Sequence, residues 1–286
     1  MIHPDSASPA TDADNTPGLV LRAYANDELS RAIDCLSWPG AQRHAGVHLA
    51  RKSMRRVRAA LALGAAALGP GARLVDRQVR RVNRSLSTVR DCQALVEALE
   101  RLRTQQPGEA REQLLKRARR AAVRQRVARM QAEIRDDPAF LRRRAVLEVL
   151  LAGMQALPWT SVLESDLAAA FERGASDAQA ARDRAAKSGR DEDWHRWRRR
   201  VRRLSQQHRA VGELGAGLVT ASNRYKTLAV LLGEAQDHAL LIAHCGSRSP
   251  FDDADRPALK TLARKGLKRT GARIGKAVAR LDGSGS

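Results

Sequence analysis

The sequence predicts an all-α protein built from two copies of a helical unit. Two observations carry the helices. After Gly18 the chain is dominated by Ala, Leu, Arg, Glu and Gln, with no run of β-branched residues. Gly and Pro then punctuate the chain into long segments. A third observation, a motif that returns 147 residues later, carries the duplication.

The elements follow in order. Residues 1–17 are rich in Pro, Ser, Thr and Asp, without a basic or apolar stretch; they read as a disordered leader, not a signal peptide. A first helix over 19–36 stops at Trp38-Pro39-Gly40, and a second over 41–68 stops at Gly69-Pro70-Gly71. A third over 72–104 stops at Gln106-Pro107-Gly108, a fourth over 108–135 at Asp137-Pro138, and a fifth over 139–156 at Pro158. The sixth, 162–187, ends at Ser188-Gly189, where Ser188 with Asp191 reads as an N-cap and acidic first turn for the seventh, 190–214. The eighth, 217–245, ends before Ser249-Pro250, and the ninth covers 255–281. Short connections between long helices imply antiparallel bundles.

The repeat lies in Val47-His48-Leu49-Ala50-Arg51-Lys52-Ser53-Met54-Arg55-Arg56-Val57 and Trp194-His195-Arg196-Trp197-Arg198-Arg199-Arg200-Val201-Arg202-Arg203-Leu204. Both fit H-x-x-R-[KR]-x-x-R-R-[VL]. At an offset of 146, Leu86-Ser87-Thr88-Val89-Arg90-Asp91 matches Leu232-Gly233-Glu234-Ala235-Gln236-Asp237. Two four-helix units result, with helices 19–36, 41–68, 72–104 and 108–135 corresponding to 162–187, 190–214, 217–245 and 255–281. The helix near 139–156 joins them. The expected organisation is a single domain over 18–282 with halves at 18–157 and 158–282.

On a helix, His48, Arg51, Lys52 and Arg55 share one face, widened by Arg56 and Arg58, while Val47, Ala50, Met54, Val57 and Leu61 lie opposite. His195, Arg198, Arg199, Arg202 and Arg203 repeat the pattern against Trp194, Trp197, Val201 and Leu204. A charged helix face is ordinarily just solvated. A stabilising one mixes Glu with Lys or Arg at i,i+4, whereas neither of these carries an acid, and like charges at that spacing repel. Repetition in matched register points to a polyanion. Guanidinium is a permanently charged planar fork for phosphate oxygens, and the rungs recur every ~5 Å along the axis. Each histidine adds a donor, which neighbouring phosphate favours in its protonated form. His3, His44, His208, His238 and His244 have no such pairing and read as ordinary.

The bulk chemistry agrees. The 286 residues carry 52 Lys+Arg against 31 Asp+Glu, a formal charge of +21. A hydrophobic content of 43% supports a real core, while 3% aromatics disfavours β-sandwiches and base-stacking platforms. Cys35, Cys92 and Cys245 form no CxxC pair, which fits a reducing compartment. No uncharged apolar run is long enough to span a bilayer. A soluble cytoplasmic protein is expected.

These motifs resemble the CHAD family, the α-helical domain named for its conserved histidines. The resemblance rests on Val47-His48-x-x-Arg51-Lys52-x-x-Arg55-Arg56-Val57-Arg58, Leu86-x-x-Val89-Arg90-Asp91, His195-x-x-Arg198-Arg199-x-x-Arg202-Arg203-Leu204 and Leu232-Gly233-x-x-Gln236-Asp237. It implies two four-helix bundles related by a pseudo-two-fold axis, with a basic cleft or pore lined by the histidine-bearing helices. It implies binding of inorganic polyphosphate and association with polyphosphate granules. Arg80 and Lys226, again 146 residues apart, become second-tier contacts, and Arg90 a weaker one. Ser205 in place of Arg58, Gln206 in place of an aromatic and Gln236 in place of Arg90 suggest a weaker grip in the second half. No Glu-x-Glu-x-Lys signature of a triphosphate-tunnel (CYTH) domain is present, so a stand-alone member is expected.

Nothing points to catalysis or a cofactor. There is no GxxxxGK[ST] loop, and Gly212-x-x-Gly215-x-Gly217 reads as a turn between helices. Asp191-Glu192-Asp193 and Asp252, Asp253 and Asp255 stand where acids complement a helix dipole, not as metal ligands. A non-catalytic polyphosphate binder is the leading reading. A nucleic-acid backbone binder is the alternative on charge alone, and an enzyme of polyphosphate metabolism ranks behind both. Oligomeric state is open.

Overall fold

A computed structural model describes residues 16–105, 108–212, 222–247 and 249–282. Ten α-helices account for most of them: α1 Pro17–Ser37, α2 Arg43–Leu63, α3 Ala65–Ser85, α4 Ser87–Gln105 and α5 Glu109–Asp136, then α6 Leu141–Gln155, α7 Glu164–Ser188, α8 Asp191–Gly212, α9 Ser222–His244 and α10 Arg256–Asp282. No strand occurs among the described residues. Of the expected leader only Thr16 and Pro17 are described, and Pro17 already opens α1.

Two boundaries differ from expectation. The second helix ends at Leu63, and Gly69-Pro70 sits inside α3 as a kink. Gly69 adopts φ 66°, ψ −154°, which only glycine takes readily, and Pro70 lacks the N–H a continuous helix would need. The expected 72–104 helix breaks at Leu86, although no Gly or Pro stands there. The Ser85 hydroxyl donates to the Val82 carbonyl at 2.8 Å and the Ser87 hydroxyl to the Arg84 carbonyl at 2.5 Å. Serine side chains thus take over carbonyls at the end of α3 while Leu86 turns into the core.

Ser188 is not an N-cap. It closes α7, with Gly189 in the left-handed conformation behind it, and its hydroxyl donates to the buried Asp193 carboxylate at 2.7 Å.

Helices at equivalent places in the expected repeat pack alike. α1 lies along α2 as α7 lies along α8, and α4 along α5 as α9 lies along α10, while α2 meets α8 and α4 meets α9. α6, the leftover helix, covers α1 and α3. The buried side chains fall into three clusters. One centres on α1, α2, α3 and α6 and reaches Leu167 and Ala170 of α7 and Ala210 and Val211 of α8, and another joins α7 to α10. In the third, Leu95, Leu99 and Leu115 of α4 and α5 pack with Leu241 and Leu259 of α9 and α10. The N-terminal and C-terminal helices therefore share core.

α2 is held tightly against α1. A Cβ on Gly46 would stand 2.1 Å from the Cys35 carbonyl oxygen, so only glycine permits this approach. Val47, Ala50, Met54, Val57 and Leu61 are all buried, as the periodicity requires. Trp197, Val201 and Leu204 are buried on α8, and Trp194 is half-buried. The basic faces of the two helices are left pointing away from these cores. No helix among the described residues is long and apolar enough to cross a membrane.

Candidate anion-binding site

Where α2 and α8 meet, their basic faces and one edge of α3 enclose a cleft of about 650 Å³. α2 contributes Arg51, Arg55 and Arg58, and α3 contributes Arg80, Asn83 and Arg84. α8 contributes Arg196, Arg199, Arg200, Arg202, Arg203 and Gln206. Among the described residues the lining holds ten arginines and no acid.

Arg51, Arg55, Arg58, Arg80, Arg199, Arg202 and Arg203 were expected here from the sequence; Arg84, Arg196 and Arg200 were not. Arg80 and Arg84, like Arg196 and Arg200, are spaced i,i+4 and so share a face. That signal was readable, but which face turns toward α2 depends on packing.

Other expected site residues lie elsewhere. Arg56 is a correction: it is buried on the α1 side of α2 and donates to the buried Glu28 carboxylate at 2.5 Å. Arg56 widens the arc only on a helical wheel; in the fold that edge is core. Lys52 is exposed at the rim and Lys226 is exposed on α9, and neither lines the cleft. Arg198 sits behind the lining among Arg202, Arg90 and the carboxylates of Asp237 and Asp91. His48 faces Arg90 and Glu97 of α4, and His195 is hydrogen-bonded to Gln236 of α9. The histidines thus connect the first motif of each copy to its second, on the α4/α9 side of the arginines. Arg90 is paired with Glu97 at 3.0 Å.

Three contacts hold the cleft's walls. Arg51 donates to the Asn83 carbonyl and receives the Asn83 amide on its own carbonyl at 3.0 Å, tying α2 to α3. Arg58 grips Asp76 of α3 with two hydrogen bonds of 2.7 and 3.2 Å. Arg200 pairs with Asp177 of α7 at 2.6 Å. The stripes carry no acid of their own, but neighbouring helices bring some to their edges.

The CHAD domain is matched over residues 27–246 of the 286. The chain belongs to the CHAD family. No curated protein and no solved structure gives a match. The matched region of the CHAD chain contains both motif pairs and the whole cleft, and stops short of α10.

The electrostatics of the CHAD cleft are unfavourable to an empty site. Burial, with Arg202 next, pushes the Arg198 guanidinium down to about 9. Burial and the nearby Arg90 and Arg202 bring Arg51 to about 10, against the pull of Asp91. Arg55 is driven well below its ordinary value, by burial and then by Arg202, Arg51 and Arg198. Guanidinium does not release its proton in proteins, so these shifts register desolvation and mutual repulsion that a bound anion relieves. The Nε donors of Arg51, Arg55 and Arg198 are buried without acceptors, an uncompensated cost. Burial, followed by Arg90 at His48 and by Arg198 at His195, holds both imidazoles below their ordinary range.

Arg55→Gln, which removes a buried charge that three neighbouring arginines repel, should therefore raise the melting temperature of the ligand-free protein. A rise of about 2–4 °C corresponds to roughly 1 kcal/mol at this chain size. A lower melting temperature would show that its neighbours hold Arg55 rather than repel it.

The acidic groups have structural partners. Asp255 accepts two hydrogen bonds from Arg117, at 3.0 and 2.7 Å, and Asp253 pairs with Arg256 at 2.5 Å. Among the described residues no three His, Cys, Asp or Glu side chains come together to hold a metal ion. Gly215 and Gly217 lie outside the described residues.

Proposed function

We propose that this CHAD protein binds inorganic polyphosphate without turning it over, and that the arginine cleft is where it does so. The carrying observation is a cleft lined, among the described residues, by ten arginines from three helices and by no acid. A chain of linked phosphates presents charge at every unit and no apolar surface, and this lining offers forks of donors and no aromatic ring. The same chemistry supports recruitment to polyphosphate granules in the cytoplasm. A nucleic-acid backbone is the competing reading; it would leave its bases without a stacking partner here.

A competition titration tests the reading. Long-chain polyphosphate should displace duplex DNA and single-stranded RNA at equal phosphate concentration, and binding should weaken with salt through counterion release. Equal competition by nucleic acid would remove the assignment to polyphosphate. With Mg²⁺ present the chain length of the polymer should not change; shortening would make the protein an enzyme.

The histidines set the pH dependence. In the free protein His48 and His195 are held below their ordinary range, and a bound polyanion raises them. Affinity should therefore increase as pH falls through the raised bound-state values, with proton uptake, and level off below the free-state values. Each unit of upward shift is worth about tenfold. His48→Ala/His195→Ala should flatten the pH profile while keeping the salt dependence. An unchanged profile would place the titrating groups elsewhere.

A further inference from the structure

We infer that a second binding site, for a single-chain anionic amphiphile such as an alkyl phosphate or a fatty acid, lies between α4, α5 and α10. It is a hollow of about 420 Å³, within the range of small-molecule sites. Its floor is apolar: Leu102 of α4 and Leu115 of α5 are buried, and Leu262 of α10 is half-buried. Its rim is basic: Lys265, Lys268 and Arg269 of α10 are exposed, with Arg111 across from them, and no acid among the described residues lines it.

Lysine and arginine stems often lie over leucines with their heads in water, and that alone is no site. The charge arrangement goes further. Leu262, Lys265 and Arg269 recur at three and four residues, so a leucine and two cations share one helix face. Lys265 stands three residues from Lys268 and four from Arg269, a spacing at which like charges repel. None of the three forms an ion pair with a described residue. Their neighbours differ: in the adjoining hollow, which shares Leu102 and Arg269, Arg101 is paired with Asp237, and Arg273 with Glu234 at 2.6 Å.

Chemistry then selects the ligand. Lys265, Lys268 and Arg269, without an ion pair to a described residue, favour an anionic head. The leucine floor gains only from an apolar chain, which inorganic phosphate and polyphosphate lack. The acids Glu234 and Asp237 at the far hollow place the head at Lys265 and Lys268, with the chain lying over Leu115 and Leu102. The site stands apart from the arginine cleft, and α10 lies beyond the family match.

Calorimetric titration of the full chain with octyl, decyl and dodecyl phosphate, each kept monomeric, tests this inference. Each added methylene should tighten binding by about fourfold, from ~0.8 kcal/mol per buried CH₂, until the hollow is filled. Inorganic phosphate should bind at least a hundredfold more weakly than dodecyl phosphate. Lys265→Glu/Lys268→Glu, both exposed positions, should weaken dodecyl phosphate more than tenfold at unchanged melting temperature. Arg55→Gln/Arg202→Gln should leave it unaffected. The inference is overturned by affinity independent of chain length, by insensitivity to the lysine reversals, by loss in the cleft variant, or by binding to phosphatidylglycerol vesicles without binding of monomers.

Discussion

Arg55→Gln/Arg202→Gln should lower affinity for long-chain polyphosphate by about 10²–10³-fold, at roughly 1.5–3 kcal/mol for each charge-assisted hydrogen bond lost. These two arginines come from α2 and α8, line the same cleft and stand among other guanidinium groups. Neither forms an ion pair with a described residue, so glutamine breaks no structural contact. The Arg55 Nε has no acceptor. The salt dependence should flatten by about one to two in log–log slope, by analogy with the removal of two phosphate contacts from a nucleic-acid complex. Arg55→Gln relieves repulsion, while Arg202→Gln removes a buried charge that Asp237 attracts and Arg90 repels, so the variant should melt close to the wild type, which separates lost binding from misfolding. Unchanged affinity in this folded variant would move the binding surface off the cleft.

Glu28→Ala should destabilise the protein by about 3–5 kcal/mol, the usual cost of leaving one partner of a buried ion pair alone. At this size that lowers the melting temperature by roughly 10 °C or more. Glu28 of α1 and Arg56 of α2 are 4% and 7% exposed, and they join the two helices at 2.5 Å. Without the carboxylate, Arg56 remains buried near the Lys52 charge. Replacing both partners, in Glu28→Leu/Arg56→Met, should recover most of the loss, since well-packed apolar residues substitute for buried pairs at little cost. The double variant should also keep its polyphosphate affinity, because Arg56 faces the core. A melting temperature within a degree or two of wild type for Glu28→Ala would mean that water reaches the pair.

The contrast between Arg55 and Arg56 shows where sequence reasoning reaches its limit. They are adjacent, occupy equivalent places in a duplicated motif and look alike on a helical wheel. One lines the cleft and the other closes a buried pair, because α1 brings Glu28 to one side of α2 while α8 brings Arg202 to the other. Lys52, Arg58 and Arg200 divide in the same way: one is exposed at the rim, and two are in the cleft but gripped by Asp76 and Asp177. The break at Leu86 was hidden for a related reason. It comes from two serine hydroxyls capturing carbonyls rather than from a glycine or proline.

The sequence by itself determined the helical class, the opposition of basic and apolar faces on α2 and α8, and the resemblance to the CHAD family. The first two follow from residue type and from a period of 3.6, which the backbone imposes locally, and the third rests on the motifs around His48, Leu86, His195 and Leu232. Only the tertiary structure decided which arginines share a cleft, which are neutralised by acids from α1, α3 and α7, and that α3 adds Arg84 to the expected Arg80. The work of a charge depends on its distance to other charges and on how much water lies between them. Those distances are set between helices far apart in the chain, where no local period carries the information.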